Sequence, residues 1–214
     1  MTIITGDCTE VLKTLPDASV DLVLTDPPYF VAYRDRYGRR VRNDGAGDTA
    51  VLGAFAEVYR VMKPDTLCVS FYGWQAIDAF MAAWKAAGLT PVEHIVWRKK
   101  YASSRRFLKR THEQAYVLAK GRPSLPRQPL DDVQPWHYSG NRFHPTEKAV
   151  ETLSPLIEAF TDPGDVVLDP FAGSGSTLAA AALLRRKYIG IELEPTYCAH
   201  AHKRLKGVAR YLAA

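Results

Sequence analysis

Residues 22–29 read Leu-Val-Leu-Thr-Asp-Pro-Pro-Tyr, an apolar run that ends in a carboxylate, two prolines and an aromatic ring. Consecutive prolines fix φ and remove two amide donors, leaving their carbonyls as acceptors in a stiff loop. A carboxylate (Asp26) beside such carbonyls (Pro27, Pro28) is suited to holding an NH2 group, and Tyr29 offers a flat face for a base to stack on. A second constellation lies at 166–177, where an apolar run enters Asp169 and continues through Pro170, Phe171 and Ala172. There Gly173-Ser174-Gly175 turns the chain into Ser176 and Thr177. Glycines at such a turn allow a tight bend and a close approach of backbone to ligand. A further apolar run at 188–191 ends in Glu192, placed where an acid can accept hydrogen bonds from both ribose hydroxyls of a nucleoside. Leu178 stands where a dinucleotide fingerprint would have its third glycine, which argues against NAD or FAD. The Gly-Lys-Ser/Thr ending of a phosphate-cradling loop is absent as well, which argues against ATP hydrolysis.

Both constellations need strands that deliver them to one sheet edge. Short apolar runs alternate with longer amphipathic ones, the pattern of an α/β sheet covered on both faces. Strands are predicted at 2–4, 20–25, 66–71, 92–97, 113–118, 166–168 and 188–191, giving seven. Helices are predicted at 9–15, 49–62, 75–87, 148–160, 176–184 and 196–206. Asp48 marks the start of the second helix and Lys63-Pro64 its end, while Gly88 ends the third. Two stretches lack this rhythm: 30–47, rich in Arg and Gly, and 121–141, with four prolines. Loops of this length are more often functional than idle, so both are candidate substrate-facing elements.

The 214 residues suit a single domain, 1–214, with the basic loop 30–47 and a short recognition region, 98–141, as insertions. At 47% apolar and 24% charged the composition is that of an ordinary globular protein, and no run approaches the ~18 apolar residues of a membrane span. The N-terminus has no basic start followed by an apolar run, so no secretory signal is expected. Cys8, Cys68 and Cys198 are an odd set without metal-ligand spacing, expected to be reduced thiols in the cytoplasm. The net charge is +5, and 12 of the 28 basic residues fall in 34–42 and 98–110. Arg34, Arg36, Arg39, Arg40, Arg98, Lys99, Lys100, Arg105 and Arg106 are the candidate nucleic-acid contacts, with Tyr33, Tyr37, Tyr101 and Phe107 among or beside them. Cations interleaved with aromatics suit phosphates and unstacked bases.

With these residues in hand, the chain resembles the amino-methyltransferases of DNA. Asp26-Pro27-Pro28-Tyr29 is similar to their catalytic motif, and the segment from Asp169 to Thr177 to their cofactor motif. The catalytic motif comes first, a permutation that resembles the β-type subgroup. Gly6-Asp7-Cys8 resembles the segment that holds the cofactor's adenine, and His144-Pro-Thr146-Glu-Lys148 the segment near its methionine end. Thr111-His112-Glu113 resembles the start of the strand that follows the catalytic half. The proline that often follows the lysine is Ala149 here, and the stretch between Lys120 and His144 is short where many relatives carry a recognition domain.

The resemblance implies a Rossmann-like, mostly parallel sheet with S-adenosylmethionine as cofactor. It implies cofactor contacts from Asp7, Cys8, Asp26, His144, Thr146, Lys148, Asp169, Phe171, Gly173, Ser174, Gly175, Ser176, Thr177 and Glu192. The expected partners are double-stranded DNA and a second copy of the chain in a homodimer, with neither metal nor membrane. The target base, unreachable inside a duplex, would be flipped out. Asp26 and the Pro27 carbonyl would then accept from its NH2 group, localising the nitrogen lone pair, with Tyr29 stacked on the ring. Adenine N6 is favoured, since a Ser-Pro-Pro form is commoner among cytosine N4 enzymes; cytosine N4 is the alternative. An RNA base methyltransferase and a non-catalytic DNA-binding module are the remoter readings. Methylation at cytosine carbon 5 would use a cysteine after a proline, and the residues before the three cysteines are Asp7, Leu67 and Tyr197.

Overall fold

The computed structural model describes residues 1–34, 38, 42–45, 49–141 and 143–213. Asp48, Arg36, Arg39 and Arg40 lie outside the described residues. Strand β1 (Thr2–Thr5) turns at Gly6 into helix α1 (Cys8–Lys13). Strand β2 (Val20–Thr25) sends Leu22 and Leu24 to one core and Val23 to the other, the two-residue alternation of a strand covered on both faces. A single 3-10 turn (Thr49–Gly53) leads into helix α2 (Ala54–Val61), which passes directly into β3 (Met62–Phe71). The predicted helix at 49–62 therefore ends sooner than Lys63-Pro64 suggests, because Met62 already pairs with Val20 in the sheet. The Lys120 ammonium donates to the carbonyls of Tyr59 and Met62, both at 2.6 Å, and so caps that helix end with a cation.

Helix α3 (Ile77–Ala86) stops at Gly88, whose φ of 94° only glycine adopts without strain. Strand β4 (Thr90–Arg98) then reaches a small hairpin, β5 (Ser104–Arg105) and β6 (Lys109–Arg110), before returning as β7 (His112–Lys120). The short β8 (Val133–Pro135), helix α4 (Val150–Phe160), β9 (Val166–Asp169), α5 (Ser176–Leu183), β10 (Lys187–Glu192) and α6 (Pro195–Leu212) complete the chain.

The sheet order is β1-β10-β9-β2-β3-β7-β4-β8. All seven predicted strands take part, and β8 adds an eighth at the edge beside β4. Every pair is parallel except the two made by β7, which runs against both β3 and β4. One face is covered by α1, α2 and α3 through Leu12, Phe55, Val58, Phe80 and Trp84. The other face is covered by α4 and α5 through Leu153, Leu156, Ile157, Ala180 and Ala181. The missing third glycine has a counterpart across the layers. A Cβ on Gly190 of β10 would lie 2.4 Å from Leu178, so the small residue that lets helix and strand approach sits on the strand instead.

No helix among the described residues is long and apolar enough to cross a membrane, and no three His, Cys, Asp or Glu among them converge as a metal cluster.

Candidate active site

Strands β2 and β9 lie side by side and parallel, so the two sequence constellations end at the same edge of the sheet. From this pair the chain winds outward in opposite directions, to β3 on one side and to β10 and β1 on the other. Such a switch point opens a crevice beyond the carboxyl ends of the strands. A cleft opens there. Asp26, Pro27, Pro28 and Tyr29 line it, as does every predicted cofactor residue except Gly175.

The Asp26 carboxylate is held from two sides. Its Oδ1 accepts a 2.7 Å hydrogen bond from the Tyr29 hydroxyl, and its Oδ2 accepts from the Lys148 ammonium. Lys148 is buried, with its ammonium 4.8 Å from the centroid of the Phe71 ring and 5.7 Å from that of Tyr29. Each carboxylate oxygen has a second lone pair, so the group can still accept from a substrate NH2. Burial, and after it the Asp26 charge, pushes the Tyr29 hydroxyl well above its usual range, which keeps it a donor at neutral pH. Ala149 has φ −74°, close to the value a proline would impose, so the departure from the family pattern leaves the backbone after Lys148 unchanged.

The loop after Tyr29 is strained. Phe30 sits at φ 61° and is buried, packed on Phe80 with ring centroids 5.5 Å apart. A bulky side chain in this region costs about 1–2 kcal/mol. Asp44 holds the loop in place from across its length: its carboxylate accepts from the amides of Tyr33 at 2.7 Å and Val31 at 3.3 Å. Asp44 is 3% exposed, and no sequence signal marked it. Of the basic loop, Arg34 is exposed, while Arg42 pairs with Glu194 at 2.6 Å, just beyond the end of β10.

On the other wall, Glu192 is oriented by two amides: Oε2 accepts from Gly173 at 2.8 Å and Oε1 from Glu194 at 2.7 Å. Burial raises its pKa. Asp7 caps α1, accepting from the Thr9 amide at 2.8 Å and the Thr9 hydroxyl at 2.6 Å, and its side chain is exposed at the mouth. His144 lies edge-on to Tyr197, centroids 4.3 Å apart, and its Nδ1 accepts from the Thr146 amide at 3.3 Å. The Ser176 hydroxyl accepts from Arg204 at 2.7 Å, and Arg204 also reaches Glu147 at 2.5 Å, which ties α6 to the cleft wall. Burial pushes the Cys8 thiol up to about 12 and raises Cys68 as well, so neither is a thiolate nucleophile at neutral pH.

Two predicted roles are corrected by placement. Gly175 does not face the cleft; it has φ 79°, and a Cβ there would stand 2.8 Å from that of Ala201 on α6. It is a packing glycine. Gly175→Ala is therefore expected to cost roughly 2–4 kcal/mol, combining the left-handed backbone with overpacking. Urea unfolding checks this, and a loss below about 0.5 kcal/mol would contradict it. Lys99, expected on DNA, is 7% exposed and points inward to Glu113, with the rings of Tyr101 and Trp136 5.7 and 5.2 Å from its ammonium. Its charge is spent inside the protein. Arg98, Lys100, Arg105 and Arg106 are exposed.

Asp169 is 3% exposed, and its carboxylate accepts from the Phe171 amide at 3.1 Å, so it shapes the turn from beneath. Burial pushes its pKa from 3.8 to about 7, and the hydrogen bonds of Thr177 and Phe171 offset that only in part. Between those values the folded protein keeps a proton that the unfolded chain has lost, so this group makes stability fall as pH rises through the window. Asp169→Asn should remove that slope. Urea midpoints for parent and variant at pH 5 and pH 7 test this, and equal pH dependence of the two would contradict it.

The comparisons with known proteins agree with this geometry. A sequence profile described as DNA methylase matches residues 20–203. YubD, a candidate methylase of Escherichia coli (strain K12), is 55% identical over 207 residues, covering 97% of this chain and 91% of that protein. Type II methyltransferase M.HinfI of Haemophilus influenzae is 27% identical, covering 97% of this chain and 68% of that protein. Among solved structures, the M1.HpyAVI–SAM complex superposes with a TM-score of 0.76 at 25% identity, over 95% of this chain and 98% of that one. The PvuII cytosine-N4-specific DNA methyltransferase has the same TM-score at 19% identity, over 98% and 90%, and so shares the fold. With the profile spanning most of its length, the chain belongs to the DNA methylase family whose profile is that of N6 and N4 methyltransferases.

Proposed function

We propose that this protein transfers a methyl group from S-adenosylmethionine to the N6 amino group of adenine in DNA, with cytosine N4 as the second reading. The observation that carries it is the Asp26 carboxylate, fixed by Lys148 and Tyr29 beside two proline carbonyls, at the edge where the Gly173 turn and Glu192 also converge. The residues fit the cofactor. Glu192 and Asp7 supply carboxylate acceptors for hydroxyl and amino groups of a nucleoside. Gly173, at φ 51°, leaves a cradle that a Cβ would narrow, standing 3.6 Å from the His144 ring.

Bound there, S-adenosylmethionine supplies an electrophilic methyl group on a sulfonium. The protein's own task is to make a weak nucleophile attack it. Asp26 and the Pro27 carbonyl accept from the target NH2, drawing its lone pair out of the ring and toward the methyl donor. The one N–H proton that the nitrogen must shed on methylation would leave along the hydrogen bond to Asp26 and pass to solvent. Tyr29, pinned through its hydroxyl, presents its ring to the base. No covalent enzyme intermediate is needed, so catalysis is positioning and fixed electrostatics. The side-chain carboxylate in Asp26-Pro27-Pro28-Tyr29, in place of the serine commoner among cytosine enzymes, favours adenine.

In this reading the chain is one domain in which 30–47 and the exposed parts of 98–141 outside strand β7 face double-stranded DNA, and two copies pair as a homodimer. Sequencing DNA with modification detection from cells that express the protein tests it. N6-methyladenine in a fixed sequence context is expected, absent when Asp26→Asn is expressed instead. Unmodified DNA from cells making folded parent protein would contradict it.

A further inference from the structure

Between β4 and β7 the chain leaves the sheet at the edge that holds the cleft. The C-terminal end of β3 pairs there with β7 through Phe71 and Ala115, and the end of β4 through Arg98 and His112. The excursion is an ordered hairpin. Ser104 pairs with Arg110 and Arg105 with Lys109, and the Arg106 amide donates to the Leu108 carbonyl across the tip at 3.2 Å. At its apex Phe107 is 105% exposed and Leu108 80%. Exposing an aromatic ring so fully at a hairpin tip forgoes its burial, so the placement calls for an explanation other than folding.

The surroundings of that tip are cationic. Arg105, Arg106, Lys109 and Arg110 are all exposed, and 98–110 contains no acid. The base is anchored: Lys99 pairs with Glu113, and the Arg110 guanidinium stacks 5.1 Å from the Trp74 ring. From Thr111 the tip can stand up to roughly 13 Å off the sheet edge, at about 3.3 Å per residue. Strand spacing of about 4.8 Å places its base roughly 10–14 Å across the edge from β2 and Asp26, comparable with the width of a DNA groove.

We propose that this hairpin is a DNA wedge: Arg105, Arg106, Lys109 and Arg110 grip phosphates while Phe107, backed by Leu108, enters the stack and fills the gap left when a base swings toward Asp26. The inference rests on DNA being the substrate. Apolar side chains inserted at base steps are a general means of unstacking a duplex, and cations on both flanks distinguish this tip from a protein-docking patch. Because the Phe107 ring is fully exposed, replacing it leaves the fold intact.

The test measures binding to two otherwise identical duplexes, one intact and one with a central abasic gap, without cofactor. The parent should prefer the gapped duplex, and Phe107→Ala should lose affinity for it by about 5- to 150-fold, the range for one base–aromatic stack. Phe107→Trp should restore the preference. The slope of log K against log salt should be unchanged in Phe107→Ala but shallower in Arg105→Ala/Arg106→Ala, by about 0.9 for each phosphate the variant no longer neutralises. A parent without preference for the gap, or Phe107→Ala retaining it, overturns the wedge. So does a Phe107→Ala phenotype confined to self-association, read by sedimentation, which would assign the tip to a second copy of the chain. A gap preference that depends on Phe107 in a protein that methylates no DNA would leave the wedge standing and sink the methyltransferase reading instead.

Discussion

Asp26→Asn is expected to lower kcat for methyl transfer by roughly 10²–10³, or about 2.7–4 kcal/mol, while cofactor affinity changes far less. The shape is kept, but an amide can turn a donor toward a group that is itself a donor, and the negative charge is gone. The variant will also be less stable, for a reason visible only in the structure. Lys148 is buried and its ammonium is paired with this carboxylate, so the substitution leaves a buried cation without its counter-charge. Breaking such a pair costs on the order of 3–5 kcal/mol, more than the loss of a simple turn cap. Rates must therefore be taken per folded molecule. Lys148→Met beside Asp26→Asn removes the stranded charge and should recover much of the stability without recovering the rate. If the double variant regains both, Asp26 acts through stability and not on the amino group.

Glu192→Ala should weaken S-adenosylmethionine binding by about 1.5–3 kcal/mol, roughly 10- to 150-fold, and raise its KM more than it lowers kcat. The carboxylate is already oriented by the amides of Gly173 and Glu194, at 2.8 and 2.7 Å, so it meets a ligand without rearrangement. Its loss also frees those two amides beside the glycine turn. Glu192→Gln separates the two roles, because it retains an acceptor for one amide but not a charge for the ribose. Calorimetry should rank the affinities parent, Gln, Ala. An alanine variant that binds the cofactor like the parent would remove Glu192 from the site.

The fold was legible where local chemistry punctuates the chain. Gly88 marks the end of α3 as read, and the strands leading to Asp26 and Asp169 stand where their apolar runs place them, because both are buried on two faces. Boundaries shifted where long-range pairing overrode local signals. Met62 joined the sheet instead of the helix, and the helix predicted at 148–160 begins at Val150, after Lys148 has been drawn to Asp26. That ion pair joins residues 122 apart, so no window of sequence contains it. Gly190 opposite Leu178 and the Asp44 latch on the amides of Val31 and Tyr33 are nearer in sequence, but one joins a helix to a strand and the other closes an irregular loop, so no periodic pattern marks them. Charge counting treated Lys99 like its neighbours. Within one basic run, only the strand pairing decides which side chain turns inward to Glu113 and which remain outside.

In the proposed reading this cleft directs a methyl group onto an exocyclic amino nitrogen. Purified protein, labelled S-adenosylmethionine and duplex DNA, followed by digestion to nucleosides and mass spectrometry, measures it directly. Label is expected in N6-methyladenine, at a rate about 10²–10³ lower for folded Asp26→Asn. Label in N4-methylcytosine would move the target base while keeping the chemistry of Asp26. Label in 5-methylcytosine, or a folded Asp26→Asn protein that works at the parent rate, would contradict it.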